Sequence, residues 1–253
     1  MRTRLFHTWT VWLTWCALLF LATSGCQRQV ISSVAVSPVT PDIDTSSKVR
    51  ELMVQRQIAS RGVSDQRVLE AMRKVPRHLF VPPQMGPYAY LDAPLPIGYG
   101  QTISQPYVVA FMTHALKLKP EDRVLEVGTG SGYQAAVLSL IVREVYSIEI
   151  VEPLATEAAL RLRELGYENV KVRAGDGYRG WPEAAPFDAI MVTAAPRHVP
   201  QPLVDQLTSD GYLVLPVGKY FQKLVRIQRS AHGFKREDLL PVRFVPMTGE
   251  AER

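Results

Sequence analysis

The sequence predicts an α/β fold, in which helices cover both faces of a doubly wound, mostly parallel sheet and form three layers with it. Two observations support this prediction. Residues 124–133 pass from a short apolar run through a glycine-rich turn into residues with helical spacing, which is the first half of a βαβ unit. The next two predicted strands also lead into glycine or acidic residues, which therefore share the edge where open α/β sheets bind ligands. An N-terminal helical extension and an antiparallel pair of strands at one edge complete the predicted fold.

Length and composition are those of a globular protein with one α/β domain. The chain has 253 residues, of which 47% are hydrophobic and 21% are charged. Its net charge is only +5 and no run of Lys and Arg stands out, so we predict no nucleic-acid partner. The only cysteines are Cys16 and Cys26, which precede the predicted domain. Neither a disulfide nor a metal site is therefore expected in that domain.

Residues 1–26 differ in composition from the rest of the chain. Two arginines precede residues 5–27, which contain no Asp, Glu, Lys or Arg. A basic start, an apolar middle and small residues at the end are typical of a secretory signal. The cysteine that follows Ser-Gly resembles a bacterial lipoprotein cleavage site, with Cys26 as the lipidated residue, although Thr23 stands where that pattern prefers leucine. This interpretation predicts a periplasmic, lipid-anchored protein of the cell envelope.

Two other interpretations of the N-terminal segment stay open. Residues 5–27 are long enough to span a bilayer, so the segment could be an uncleaved membrane anchor. It could also be an upstream extension from a misassigned start codon, in which case the protein begins near Lys48 or Met53. A cytoplasmic protein is the alternative that follows from the second interpretation.

The first ordered element is predicted to be a helix. Residues 27–47 are rich in Ser, Val, Thr and Pro and lack periodicity, which predicts a disordered linker. From Lys48 the spacing becomes helical. The side chains predicted to share its apolar side are Val49, Leu52, Met53 and Ile58.

The next part of the chain is predicted to be partly irregular. A second helix is expected over residues 64–74, with Ser64 as its N-cap and its end at the residue before Pro76. Residues 78–100 contain many prolines and aromatic residues, so they are expected to form an irregular segment across the mouth of the ligand site. A further helix is predicted over residues 107–118.

The ends of the first three predicted strands carry the residues expected to bind a ligand. The glycines of residues 128–132 would let the backbone approach a ligand closely. The second strand, residues 144–150, carries Glu149, a carboxylate that could accept hydrogen bonds from both ribose hydroxyls. The third strand, residues 170–174, leads into a Gly-Asp-Gly turn that contains Asp176. Alternatively, Glu149 is an exposed acid at a strand end and Asp176 belongs to an ordinary turn.

The remaining elements alternate between helix and strand before the final pair. The predicted helices are residues 133–142 and 202–207, and the predicted strands are residues 187–193, 211–217, 224–229 and 242–246. The last two strands are expected to form the antiparallel pair at one edge of the sheet.

Four sequence motifs resemble those of a known enzyme family. VLEVGTGSGYQAAVL resembles motif I of the class I S-adenosylmethionine-dependent methyltransferases, whose fold is Rossmann-like. PIGYGQTISQP resembles the signature of one branch, the protein-L-isoaspartate O-methyltransferases, and PFDAIMVTAAP and DGYLVLPVG fit the same branch. The resemblance covers about residues 48–247. It implies one methyltransferase domain, residues 48–253, with a substrate-side region at 48–117 and a Rossmann-like core at 118–253.

The resemblance implies that the cofactor is S-adenosylmethionine. Glu126 would bind the methionine amino group, although it could instead be a satisfied carboxylate at a strand end. Glu149 would bind the ribose, and Asp176 with its neighbouring glycine would lie at the adenine edge. The cofactor-binding residues are predicted to be Glu126, Gly128, Thr129, Gly130, Gly132, Glu149, Asp176 and Gly177.

Ser104, in the TISQP motif, is the predicted catalytic residue. By resemblance, its hydroxyl lies beside the substrate carboxylate, and we expect it to orient one carboxylate oxygen by a hydrogen bond. Alternatively, Ser104 caps the helix that follows, and both roles could coexist. The residues predicted to bind the substrate are Thr102, Ile103, Gln105, Thr193 and Ala194. Thr248 matches a threonine that some relatives place near the site, although residues 249–253 depart from their pattern.

The implied reaction is methylation of the α-carboxyl group of L-isoaspartyl residues in damaged proteins, which starts their repair. Because a carboxylate is already ionised at neutral pH, with a pKa of about 4, no general base is needed. None of the five histidines lies in a recognised motif. The partners are then damaged proteins, and the enzyme is expected to act as a monomer.

Two alternative functions stay open at this point: a class I methyltransferase with another acceptor, and an exported module that keeps the fold without catalysis.

The supply of the cofactor argues against export of the protein, because S-adenosylmethionine is made in the cytosol and does not cross membranes unaided.

Overall fold

The computed structural model describes residues 43–231 and 233–252. The predicted signal or anchor segment, with Cys26, and most of the predicted linker lie outside the described residues. Within the described part, no helix is both long enough and apolar enough to cross a membrane.

The N-terminal helix α1 (Ile43–Met53) begins before Lys48, where the spacing predicts its start. It continues as a π-helical turn, Val54–Ile58. Val49 and Leu52, predicted to lie on the apolar side, are 42% and 44% exposed, so this part of the prediction is wrong. Burial begins only at Met53, where the widened turn brings the chain against the helix Pro106–Ala115.

The second helix, α2 (Gln66–Lys74), has a different N-cap from the predicted one. The Asp65 side chain accepts a hydrogen bond from the backbone N–H of Arg67 at 2.9 Å, and Ser64 lies outside the cap. Asp and Ser are almost equally good caps, so two adjacent candidates could not be distinguished from their residue types alone.

The proline-rich segment before the TISQP motif is more regular than predicted. It contains two 3₁₀ helices, Arg77–Phe80 and Pro83–Tyr88, and a small antiparallel hairpin. The hairpin consists of β1 (Leu95–Gly98) and β2 (Gln101–Ile103). Helix α3 follows immediately, over Pro106–Ala115.

The core is the predicted three-layer α/β sheet. Its strands are β3 (Arg123–Val127), β4 (Glu144–Glu149), β5 (Val170–Ala174), β6 (Phe187–Val192), β7 (Leu207–Val217), β8 (Gln222–Ser230) and β9 (Gly233–Val242). The helices between them are α4 (Tyr133–Ser139), α5 (Glu152–Glu164) and α6 (Gln201–Asp205). The strand order is β5-β4-β3-β6-β7-β8-β9, and the first five strands in that order are parallel.

Both faces of the central strands β3, β4 and β6 are buried, as their continuous apolar runs predict. Neighbouring residues of β3 belong to opposite cores. Val124 packs in the core that includes helices α2 to α5, while Leu125 packs in the core that includes α6. The order of the strands reverses on either side of β3, so the edge at its carboxyl end is where a ligand is expected.

The antiparallel edge pair is present, but its last strand was placed wrongly. The prediction was residues 242–246, whereas β9 is Gly233–Val242 and pairs with β8. The charged residues of β9 look like a loop in sequence. On an edge strand they are exposed and pair across to β8, as Asp238 does with Lys223 at 2.9 Å and Glu237 with Arg226 at 2.6 Å.

The segment that was predicted as the last strand turns back towards the centre of the sheet. The backbone N–H of Ala195 donates to the carbonyl oxygen of Val245 at 2.8 Å. That of Met247 donates to the carbonyl oxygen of Ala195 at 2.9 Å. These bonds place residues 245–248 beside the carboxyl ends of the central strands.

Candidate active site

The glycine turn after β3 has the backbone conformation that only glycine adopts readily. Gly128, Gly130 and Gly132 have φ angles of +101°, +52° and +88°. A Cβ on Gly128 would lie 2.3 Å from Oγ1 of Thr193, so a side chain is excluded there on steric grounds as well. The hydroxyl group of Thr193 donates to the carbonyl oxygen of Gly128 at 2.6 Å and thereby fixes the turn against β6.

Glu149 lies at the end of β4 beside this turn and is 6% exposed. Its Oε2 accepts a hydrogen bond from the backbone N–H of Gly130 at 2.8 Å, and its Oε1 accepts one from that of Val151 at 2.9 Å. A carboxylate offers about four acceptor positions, so both oxygens can accept further bonds. The side chain is therefore held in one orientation and can still receive hydroxyl donors.

A cavity lies against these residues at the carboxyl ends of the parallel strands, and we call it the strand-end cavity. Of the predicted site residues, those that line it are Thr102, Gly128, Gly130, Glu149, Gly177, Thr193 and Ala194. Residues 245–248 form part of the opposite wall, so Thr248 also lines the cavity. The sequence placed Thr248 near the site, but residues 242–246 were predicted as a strand, and the contribution of residues 245–247 to this wall was missed.

Ser104 lies in a second cavity, the serine cleft, with Thr102, Gln105, Tyr107 and Thr193 among its lining residues. Thr102 and Thr193 line both cavities, so the two adjoin. A smaller cavity places Ile103 and Ser104 together with Thr129 and Gly130 of the glycine turn. The predicted substrate residues thus come together with five of the eight predicted cofactor residues. The other three, Glu126, Gly132 and Asp176, line none of these three cavities.

Ser104 is not the cap of the helix that follows it. The N-cap of α3 is Gln105, and no side chain forms a cap hydrogen bond there. The side chain of Ser104 is half-buried in the cleft. Its backbone is held from behind, because Nη2 of Arg77 donates to the Ser104 carbonyl oxygen at 2.7 Å.

Arg77 was missed by the sequence analysis. It has no exposed surface, and its Nε donates to the carbonyl oxygen of Ala89 at 2.7 Å. The guanidinium lies 4.8 Å from the ring centroid of Tyr133. Burial lowers the pKa of Arg77. The only signal in the sequence was a charged residue inside the apolar stretch VPRHLF.

Glu126 is fully buried on β3. The hydroxyl group of Ser147 donates to its Oε2, and Ser147 in turn shares a hydrogen bond of 2.6 Å with Thr129 of the glycine turn. Burial, reinforced by the charge of Glu149, raises the pKa of Glu126 from 4.5 to about 8, despite the bond from Ser147. Among the described residues, its Oε1 has no hydrogen-bond partner. Glu126 does not line the strand-end cavity, so its contact with an amino group stays a prediction.

Asp176 combines with the C-terminal turn. Its Oδ1 accepts from the backbone N–H of Tyr178 at 2.9 Å, and its Oδ2 accepts from that of Glu250 at 2.8 Å. The side chain is therefore a local cap, as the alternative interpretation expected, and it also anchors the end of the chain. Gly177, the next residue, lines the strand-end cavity, where a Cβ would lie 2.3 Å from Cγ1 of Val127.

Arg61 was also missed. It lines the serine cleft, with its guanidinium carbon 3.4 Å from the ring centroid of Tyr107 and its Nη1 2.8 Å from the carboxylate of Asp92. The cleft thus offers a serine hydroxyl, an aromatic wall and a cation, which suit an anionic acceptor. No pattern in the sequence connects Arg61 with Ser104, because the two come together only through the packing of α3 on the N-terminal region.

Comparison with known proteins agrees with this arrangement. Residues 47–252 match the family model described as protein-L-isoaspartate(D-aspartate) O-methyltransferase (PCMT). The chain is 57% identical over 221 residues to the protein-L-isoaspartate O-methyltransferase of Synechococcus sp. (strain JA-2-3B'a(2-13)), with 84% of this chain and 91% of that protein covered. It is 55% identical over 221 residues to protein-L-isoaspartate O-methyltransferase 2 of Shewanella sediminis (strain HAW-EB3), with 87% and 90% covered.

Solved structures show the same fold. One protein-L-isoaspartate O-methyltransferase is 29% identical and superposes with a TM-score of 0.72, covering 81% of this chain and 67% of that chain. A putative protein-L-isoaspartate O-methyltransferase from Plasmodium falciparum, in complex with S-adenosyl-L-homocysteine, is 27% identical, with a TM-score of 0.69 and coverage of 79% and 98%. The predicted class I methyltransferase fold is therefore confirmed, and the chain belongs to the protein-L-isoaspartate O-methyltransferase family.

Proposed function

We propose that this enzyme transfers a methyl group from S-adenosylmethionine to the α-carboxyl group of L-isoaspartyl residues in damaged proteins. Membership of the family carries the reaction type and the cofactor. The observation that carries the geometry is that Thr102 and Thr193 line both the strand-end cavity and the serine cleft. A donor in the first and an acceptor in the second would meet at these two residues.

The residues of the strand-end cavity fit this cofactor. Glu149 retains acceptor positions for the two ribose hydroxyls, and the side-chain-free backbone at Gly128 and Gly130 leaves room for close approach. S-adenosylmethionine supplies a methyl group on a positively charged sulfur. The residues proposed to hold it are Glu126, Gly128, Thr129, Gly130, Gly132, Glu149, Asp176 and Gly177.

Ser104 is proposed to orient the carboxylate group of the acceptor. Its hydroxyl would donate a hydrogen bond to one oxygen of the substrate carboxylate, which directs the other oxygen towards the donor cavity. Because the carboxylate is ionised at neutral pH, no proton has to be removed. The enzyme then contributes alignment and the exclusion of water. Thr102, Ile103, Gln105, Thr193 and Ala194 are proposed to hold the peptide around it.

The test uses the full-length protein with methyl-labelled S-adenosylmethionine and two peptides that differ only in having isoaspartate or aspartate at one position. Base-labile label on the isoaspartyl peptide alone is the expected result, because the product is a carboxyl methyl ester. Label on both peptides would indicate another acceptor specificity. Label on neither, despite cofactor binding, would indicate a module without catalysis.

For the N-terminus, we infer that residues 1–26 direct export and that Cys26 carries lipid. Separately, we infer that the enzyme acts as a monomer. The order of a basic start, an apolar middle and a small-residue end before Cys26 supports export. Mass spectrometry of the native N-terminus tests this. An intact Met1 would contradict cleavage and indicate an uncleaved membrane anchor, while a start near Lys48 would contradict export and favour a cytoplasmic enzyme. Light scattering of the purified protein measures its oligomeric state.

A further inference from the structure

A third cleft lies beside the serine cleft, and we call it the basic cleft. Its lining includes Arg197, Lys219, Tyr220, Gln222 and Arg243. Residues 242–244 line both this cleft and the serine cleft, so the two clefts adjoin along this segment. A chain bound with one residue beside Ser104 could therefore extend into the basic cleft.

All the charged side chains that line the basic cleft are positive. Arg197, Lys219 and Arg243 are all exposed. None of the three forms an ion pair with a carboxylate in the described part of the chain, and no Asp or Glu lines the cleft. By contrast, Arg179, in the turn after β5, is paired with Glu250 at 2.6 Å. Within the described residues, three cations without a paired carboxylate produce a local positive potential in a concave surface.

Two exposed aromatic side chains are found at the basic cleft: Tyr220 lines it, and Phe221 is the next residue in the chain. The turn between β7 and β8 carries Tyr220 and Phe221, which are 82% and 94% exposed. Nζ of Lys219 lies 5.0 Å from the ring centroid of Tyr220. Exposed aromatic residues next to cations are typical of surfaces that bind other chains.

We propose that the basic cleft binds an acidic segment of the substrate polypeptide, next to the isoaspartyl residue in sequence. This rests on the proposed function, because it assigns the serine cleft to that residue. The adjacency of the two clefts along residues 242–244 and the charge complementarity commit the occupant to a flanking segment of the same chain. Since an extended chain advances about 3.3 Å per residue, the segment begins within a few residues of the acceptor.

The test compares isoaspartyl peptides of equal length that carry three glutamates, three glutamines or three lysines on one flank. Two such sets place the variable residues before or after the isoaspartate. In one of the two sets, we expect kcat/KM for the glutamate peptide to exceed that for the glutamine peptide about fivefold, as a few exposed ion pairs provide. The preference should diminish at high salt. Equal values for the three peptides in both sets would overturn the proposal.

Charge-reversal variants test whether the preference for acidic peptides arises in the basic cleft. Lys219→Glu combined with Arg197→Glu should abolish the preference for the glutamate peptide or reverse it in favour of lysine. Lys74→Glu, at the exposed end of α2 outside the three clefts, is the charge-matched control and should keep the preference. A preference that survives in the double variant would place the effect elsewhere and contradict the proposal.

The glutamine peptide separates this inference from the proposed function. Methylation of all peptides at equal rates would contradict only the role proposed for the basic cleft. Methylation of none of them, whatever the composition of the flank, would contradict the proposed function and this inference with it.

Discussion

Nη2 of Arg77 donates a hydrogen bond of 2.7 Å to the carbonyl oxygen of Ser104, which lies 27 residues away in sequence. The same guanidinium binds the carbonyl oxygen of Ala89 through Nε. A buried cation thus connects the 3₁₀ segment and the TISQP loop. Because its planar fork reaches two carbonyl groups at once, we regard Arg77 as the residue that positions Ser104.

We expect Arg77→Lys to lower kcat by about tenfold and to destabilise the fold by about 1–3 kcal/mol, because lysine leaves at least one buried carbonyl group without its donor. The measurements are steady-state kinetics and urea unfolding. Arg67→Lys, at an exposed ion pair with Asp65, is the control and should change neither quantity appreciably. A folded Arg77→Lys variant with unchanged kcat would show that the loop is positioned without this contact.

Ser104→Ala should lower kcat by about tenfold to a hundredfold, since a hydrogen bond to a charged group contributes about 1.5–3 kcal/mol. Stability should change by less than about 0.5 kcal/mol, because Ser104 is not a helix cap. Calorimetric titration with S-adenosylhomocysteine should give an unchanged affinity. If cofactor affinity collapsed instead, Ser104 would belong to the donor cavity.

Glu149→Ala should have the opposite effect, with the affinity for S-adenosylhomocysteine reduced by about a hundredfold, because two ribose hydrogen bonds to a charge are lost. The variant also loses the bonds that hold the turn at Gly130 and Val151. Glu152→Ala, at the exposed start of α5, is the matched control. Equal affinities in the two variants would argue against ribose binding at Glu149.

Glu126 gives a pH prediction. Burial raises its pKa from 4.5 to about 8, so between these values the folded state binds a proton that the unfolded state has lost. Its contribution to stability is therefore complete below about pH 4.5, falls as the pH rises, and is lost above about pH 8. Urea unfolding from pH 5 to pH 8 should show a steeper decline for the native protein than for Glu126→Gln. Equal slopes would mean that Glu126 is ionised in the fold.

Gly177→Ala should destabilise the fold by about 1–3 kcal/mol, because its Cβ would lie 2.3 Å from Cγ1 of the buried Val127. The loss of stability in the double variant with Val127→Ala should be smaller than the sum of the losses in the two single variants, since the second change removes the atom that clashes. The double-mutant cycle measures this coupling. Strictly additive effects would show that the two side chains do not meet.

Elements with strong local patterns could be predicted from the sequence. Strand β5 has its predicted bounds, Val170–Ala174, and the glycine turn joins a buried strand to a helix as expected. These predictions succeed because hydrophobic spacing and glycine act over a few neighbouring residues. Two predictions were wrong because local patterns did not decide them. The N-cap was predicted at Ser64, but the adjacent Asp65 is an equally good cap. The last strand was misplaced because β9 is a charged edge strand whose pairing partners lie on β8.

The fold class, the family and the location of the glycine turn with its acids could all be predicted from the order of the amino acids. The surroundings of these residues could be found only from the folded chain. Three features depend on residues from distant parts of the chain: the contact between Arg77 and Ser104, the burial of Glu126, and the convergence of Arg197, Lys219 and Arg243. Such contacts depend on how whole elements pack, and no periodicity along the chain records them.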